Sequence, residues 1–198
     1  MAGIALGGKT ADNIGNQCGG WTVLWQGMSG AVTTGTTVRQ ALEAVAPGRV
    51  SYAVDGSATS GATVGIAVIG ETPYAEGCGD VPTPNGGGLC TNRPSTLDLD
   101  YVDLQVIARM KQAGLKVVVV LVAGRPMILD PILDWADAIV VAWLPGTEGA
   151  DITDVLFGDV PPTGKLPHSW PRSMAQIPIN VGDANYDPLF PYAYGLTY

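Results

Sequence analysis

Val64-Gly-Ile-Ala-Val-Ile-Gly70, followed at once by Glu71-Thr-Pro-Tyr74, decides the fold. The run Val64–Ile69 is short, apolar and free of the alternation that a half-exposed strand shows. That is the pattern of a parallel strand covered on both faces. Ile4–Leu6, Ser51–Val54, Val117–Val122 and Ile139–Trp143 repeat it. Amphipathic stretches lie between these runs. Thr37–Val45 follows a glycine and threonine cluster and stops at Pro47. Asp100–Gln112 sets Leu104, Ile107, Ala108 and Met110 near one face, with Asp98 or Asp100 to cap it and Gly114 to end it. Asp130–Ala136 and Ala150–Phe157 read as shorter helices, the second ending at Gly158. Strands alternating with helices predict right-handed βαβ units and an open, mostly parallel α/β sheet covered by helices on both faces.

Two segments have no such periodicity, Asn13–Gly35 and Glu71–Leu97, and the second is long for a connector. Both leave the carboxyl ends of strands, where ligands of open α/β sheets bind, so they are expected to converge on one cleft. From Pro161 the chain is irregular and rich in proline and aromatic residues.

The 198 residues suit one domain, 1–198; Ile4 lies so near the start that no domain is expected upstream within this chain. A chain that is 46% hydrophobic and 14% charged can fill a core, and 27 glycines with 15 prolines predict long loops. The net charge of −8 argues against nucleic acid and against anionic membranes, and it tolerates a neutral sugar. The apolar runs fall far short of the roughly 20 residues of a spanning helix. The first ten residues lack a basic start and apolar core, so no signal peptide is expected. Of three cysteines, Cys78 and Cys90 bracket a glycine- and proline-rich loop and either form a disulfide or, with Cys18, remain thiols; the compartment stays open.

Gly3-Ile-Ala-Leu-Gly-Gly-Lys9-Thr10 matches a phosphate-loop pattern, but the pattern needs a strand before it and a helix directly after it. Here the apolar run is itself the strand, and Ala11–Gly20 is a poor helix former. Nucleotide binding is rejected, and no cofactor is expected.

Glu71 is the candidate for chemistry. It stands directly after a strand and opens the long loop. A glycosidase needs one carboxylic acid to protonate the leaving oxygen and one carboxylate to attack or to activate water. Partial burial beside Tyr74 and Trp21 would suit the acid. The plainer alternative is a carboxylate that accepts backbone hydrogen bonds, and Glu76 and Asp80 are rival acids in the same loop. Trp21, after Gly19-Gly20, either offers a flat face to a sugar ring or packs in the core. Trp25, Trp135, Trp143 and Trp170 read mostly as packing residues. His168, the one histidine, has no partner that spacing identifies, so neither a triad nor a metal site is expected. Arg125, after another strand, reads as fixing backbone.

Taken together, Lys9-Thr-Ala-Asp-Asn-Ile-Gly-Asn-Gln-Cys-Gly-Gly-Trp21-Thr22, Val68-Ile-Gly-Glu71-Thr-Pro-Tyr74, Ala123-Gly-Arg-Pro126, Ala142-Trp-Leu-Pro-Gly-Thr-Glu-Gly149, Asp154-Val-Leu-Phe-Gly-Asp159, Thr163-Gly-Lys-Leu-Pro167, Asn180 to Phe190 and Tyr194-Gly-Leu-Thr-Tyr198 resemble the second domain of family 3 glycoside hydrolases. The likeness is strongest to the exo-β-glucanase branch and runs the length of the chain. It implies a flavodoxin-like α/β sandwich that serves a retaining β-glucosidase or exo-β-glucanase. It implies further that Glu71 is the general acid/base and that Trp21 flanks the leaving-group sugar; Tyr74, read from its place beside Glu71, is expected to bind substrate with Trp21. The expected partners are a β-glucoside or gluco-oligosaccharide and an N-terminal (β/α)₈-like barrel carrying the aspartate nucleophile. No carboxylate here matches that nucleophile, so the chain is expected to be an isolated domain or half of a split enzyme, inactive alone. Secretion or a periplasmic location suits a polysaccharide-degrading enzyme, with the signal upstream of this chain. A stand-alone carbohydrate-binding module is the alternative.

Overall fold

The computed structural model describes residues 3–79, 81 and 96–197. Five strands, β1 (Gly3–Gly7), β2 (Val50–Tyr52), β3 (Ala62–Gly70), β4 (Lys116–Val122) and β5 (Ala138–Trp143), form one sheet in the order β2-β1-β3-β4-β5. All four pairings are parallel. Among the described residues four helices accompany them: α1 (Ile14–Cys18), α2 (Val38–Val45), α3 (Tyr101–Gln112) and α4 (Gly149–Phe157).

The two-sided burial read from the apolar runs is what the core contains. On one face Leu6, Ile66, Val68, Val120 and Val122 meet Val38 and Leu42 of α2 and Ile152 of α4. On the other, Ala5, Ala67, Ile69, Val117, Val119 and Leu121 meet Val106, Ile107 and Met110 of α3. Alternate residues of one strand thus serve opposite layers, which leaves no polar position to mark a period of two. Each fully buried Val, Leu or Ile contributes about 1.5–3 kcal/mol.

Local signals set the helix ends. Thr37 caps α2 in a reciprocal box with Gln40. Gly158, left-handed at φ 85°, ends α4. Asp100 stands at the N-cap of α3 as expected but makes no capping bond there, because its carboxylate is bound to Lys9.

Three expectations need correction. α1 lies inside a segment read as aperiodic. The helix expected over Asp130–Ala136 is a single 3-10 turn, Asp130–Ile132. Asp137 ends that stretch by accepting from Val117 N and pairing with Lys111 and Lys116, which starts β5. The link from β2 to β3, residues 53–61, carries no helix, being shorter than the dozen or so residues a helical crossover takes. It runs over the end of β1, where a Cβ on Gly7 would come within 2.8 Å of Gly56 Cα. Only glycine permits that crossing.

The order reverses at β1, since the chain runs out to β2, returns past β1 to β3 and continues to β5. The crevice of such a sheet lies beyond the carboxyl ends of the strands at the reversal, here β1 and β3.

Candidate active site

The segment after β1 is ordered by amides rather than by apolar side chains. Asn13 Oδ1 accepts from Asn16 N (3.0 Å) and Gly30 N (2.8 Å). Asn16 bonds Thr10 and Ser29. Gln17, fully buried, donates to the carbonyls of Thr36 and Gly146 and accepts from Val38 N. A buried amide network leaves no hydrophobic period in the sequence. It carries the chain to Trp21, which is 67% exposed at φ 60°, with Val23 also left-handed at φ 64°. The Trp21 ring lies 6.2 Å from that of Trp25.

Beyond β3, Glu71 N donates to Val122 O (3.0 Å), which turns the chain off the sheet. The Glu71 side chain is 9% exposed. Its Oε1 accepts from Arg125 Nε (2.8 Å) and lies 2.8 Å from Arg125 Nη2, and its Oε2 accepts from the Tyr74 hydroxyl (3.0 Å). The Arg125 guanidinium also lies 4.7 Å over the Tyr74 ring and donates to Gly79 O. The two loops are bolted together: Trp25 Nε1 donates to Glu76 Oε2 (2.6 Å), and Ala75 N donates to Gln26 Oε1 (2.8 Å).

Between them opens a cleft of about 210 Å³, lined by Asn16, Gly19 and Gly20 after β1, Glu71 to Tyr74 after β3, Gly124 after β4 and Leu144 after β5. A Cβ on Gly20 would meet Tyr74 O at 2.0 Å, so glycine lets the tryptophan loop seat against the other. Glu71 is the one carboxylate lining this cleft among the described residues.

Of the residues singled out in the sequence, Glu71 and Tyr74 meet in the cleft, while Trp21 stands on its rim beside Gly20. Tyr74 touches Glu71 through its hydroxyl rather than as an apolar wall. Glu76, a rival acid, is spent on Trp25; Asp80 and Cys90 lie outside the described residues. Cys78 is disulfide-bonded and Cys18 is free. Trp170 and Trp143 join the α3-side core as expected. Trp25 and Trp135 are instead partly exposed, at 46% and 40%, and the Trp25 indole N–H donates to Glu76. His168 packs its ring on Trp143 and Trp170, and burial pushes its pKa down. Lys9 of the phosphate-loop match pairs with Asp100 and Asp103, and among the described residues no helix begins before Ile14. No group of His, Cys, Asp and Glu among the described residues could hold a metal ion.

Arg125 does fix backbone, at Gly79, but its pairing with Glu71 was not foreseen. The two residues are 54 positions apart, and only the adjacency of β3 and β4 joins them. Their shared position directly after strands was the available signal.

The sequence profile of the glycosyl hydrolase family 3 C-terminal domain matches residues 1–198. The lysosomal beta glucosidase of Dictyostelium discoideum is 29% identical over 98% of this chain and 26% of its own length. The periplasmic beta-glucosidase of Salmonella typhimurium is 42% identical over 47% of this chain and 15% of its own. Among solved structures, an exo-1,3/1,4-beta-glucanase from a Pseudoalteromonas species superposes with a TM-score of 0.84 and 36% identity, over 99% of this chain and 25% of that one. A beta-glucosidase from Listeria innocua superposes with a TM-score of 0.77 and 26% identity, over 100% and 30%. The chain therefore spans about a quarter to a third of the relatives it matches end to end.

Proposed function

The chain belongs to the glycosyl hydrolase family 3 C-terminal domain family, and from that membership we propose that it is the acid/base half of a retaining β-glucosidase or exo-β-glucanase active site. The observation that carries the proposal is that Glu71 is the one carboxylate lining the cleft among the described residues. Double displacement at an anomeric carbon needs two carboxyl groups about 5–5.5 Å apart. Glu71 supplies one, and a barrel docked over the crevice supplies the other.

In this reading Glu71 first gives a proton to the glycosidic oxygen as the partner's carboxylate bonds to the anomeric carbon and the aglycone leaves as an alcohol. Glu71 then takes a proton from water, whose oxygen attacks that carbon and frees the enzyme carboxylate. Arg125 does not line the cleft and Tyr74 does, so Oε1 is the anchored oxygen and Oε2 the one that exchanges the proton. The leaving oxygen takes the place of the Tyr74 hydroxyl. Trp21 offers its exposed face to the outer sugar, where an aromatic plane adds apolar contact to an N–H donor. A cleft of about 210 Å³ is below the roughly 300 Å³ at which pockets enclose a ligand by themselves, as expected of half a site.

The test is hydrolysis of a chromogenic aryl β-glucoside by the chain alone and mixed with a family 3 barrel domain. Activity in the mixture only, lost in Glu71→Gln, supports the acid/base half. Activity of the chain alone sinks it. Silence in the mixture, with sugar binding abolished by Trp21→Ala but not by Glu71→Gln, identifies a carbohydrate-binding module instead.

A further inference from the structure

Directly behind Glu71 sits an ion pair that the cleft does not contain. Asp103 on α3 is 1% exposed. Its Oδ2 accepts from Gly70 N at 3.2 Å and lies 3.0 Å from Lys9 Nζ, while Lys9 is also bound to Asp100. Lys9 comes from the end of β1, where Gly8, at φ 105°, lies so close to β3 that a Cβ would meet Val68 O at 2.0 Å. The ends of β1 and β3 and the first turn of α3 are thus joined through one carboxylate oxygen. Gly70 is gripped from the opposite side as well, since a Cβ there would sit 1.9 Å from Val122 O, the carbonyl that accepts from Glu71 N.

Net stabilisation is weak ground for this pair. Burial pushes the Asp103 carboxyl above the ordinary carboxylate range while Lys9 and the Gly70 amide pull it back. A buried ion pair is often no more stabilising than apolar residues of the same volume. Its distinctive product is geometric, because the Gly70 amide, and with it the peptide that leads into Glu71, is tied to α3 rather than left to the sheet alone.

Resting on the acid/base reading of Glu71, we infer that Asp103, neutralised by Lys9, is a positioning residue that fixes the direction in which Glu71 leaves β3. A reacting group displaced by about 1 Å loses on the order of a hundredfold in rate. The pair therefore acts on the proton-transfer step without touching substrate.

The first arm uses the chain itself. Amide exchange is followed by NMR at Gly70 and Glu71 and, for reference, at Val119 and Leu121 in β4. Asp103→Ala is expected to speed exchange at Gly70 by about tenfold or more relative to the reference amides, and Asp103→Asn, which keeps an acceptor, to restore most of the protection. If Asp103→Ala does not fold, the double variant Lys9→Met, Asp103→Leu removes the acceptor while exchanging the pair for apolar volume. An equal rise at all four amides, or none at Gly70, overturns the inference.

The second arm uses the barrel-bearing enzyme and varies the leaving group. Asp103→Ala is expected to lower kcat/KM about tenfold or more for an alkyl or sugar aglycone and to leave a 2,4-dinitrophenyl glucoside within about twofold, because that phenolate departs without a proton. If Glu71→Gln itself fails to discriminate these substrates, the acid/base reading falls. Discrimination in Glu71→Gln but not in Asp103→Ala overturns the positioning role alone.

Discussion

The two ends of the sheet make opposite use of open space. At the amino ends of the strands lies the larger hollow, about 520 Å³, lined by Gly3, Ile4, Pro47, Gly48, Arg49, Ser51, Ser60, Gly61 and Ala62. At the carboxyl ends the cleft is less than half that size, yet it holds Glu71, and an exposed tryptophan stands on its rim. The larger hollow has one cation, no carboxylate and no aromatic ring among the described residues that line it. Under the proposed function volume does not locate the chemistry; the order of strands does, because the reversal at β1 and β3 parts their carboxyl-end loops while the amino ends stay plain.

Glycine replacements test that contrast most strongly. Gly70→Ala, at φ 134° and 1.9 Å from Val122 O, is expected to cost about 3 kcal/mol or more, from backbone strain and overlap together. Gly61→Ala at the other end has φ 73° but nothing within 4 Å, and is expected to cost about 1–2 kcal/mol. Urea unfolding of both variants measures the difference, and equal costs would break the contrast.

Acid probes the amino end through Asp137. Hydrogen bonds from Val117 N, Lys116 and Lys111 hold the Asp137 carboxyl well below the usual carboxylate range. A lowered carboxyl pKa contributes stability above its unfolded value of about 4, and that contribution fades as the pH falls below it. Asp137→Asn should therefore lower Tm at pH 7 and match the parent increasingly as the pH falls through the acid range. A Tm difference that does not change with pH removes this account.

Trp21→Ala is a finer probe. An exposed side chain contributes little to folding, so stability should stay within about 0.5 kcal/mol. In the barrel-bearing enzyme KM for a gluco-oligosaccharide should rise several-fold, read by steady-state kinetics, with an aryl glucoside affected less. The smallest effect belongs to Arg49→Gln in the larger hollow, for which kcat/KM of the same enzyme should stay unchanged. A loss there would move chemistry to the amino end.

The sheet was legible because its central strands, β3 and β4 above all, are apolar on both sides, and these runs stand out against glycine-rich loops. α1 was not, because Ile14–Cys18 is held by Asn13, Asn16 and Gln17 through hydrogen bonds that leave no apolar period. The bare crossing from β2 to β3 turns on contact between Gly7 and Gly56, and a glycine in a sequence does not say what lies against it. Glu71 and Trp21 could be singled out from position and resemblance. Arg125, Lys9 and Asp103 could not be assigned to the same place, because what joins them is strand adjacency and a helix packed from the far layer.

The bolting of Trp25 and Gln26 to Glu76 and Ala75 has a consequence for how such domains diversify. Two loops tied by several hydrogen bonds change length or sequence as a pair, or else lose their fastening. Recombination that brings in one loop from a relative without its mate would deliver the right residues on the wrong frame. Grafts made to alter sugar preference should therefore exchange both segments as a single inherited unit.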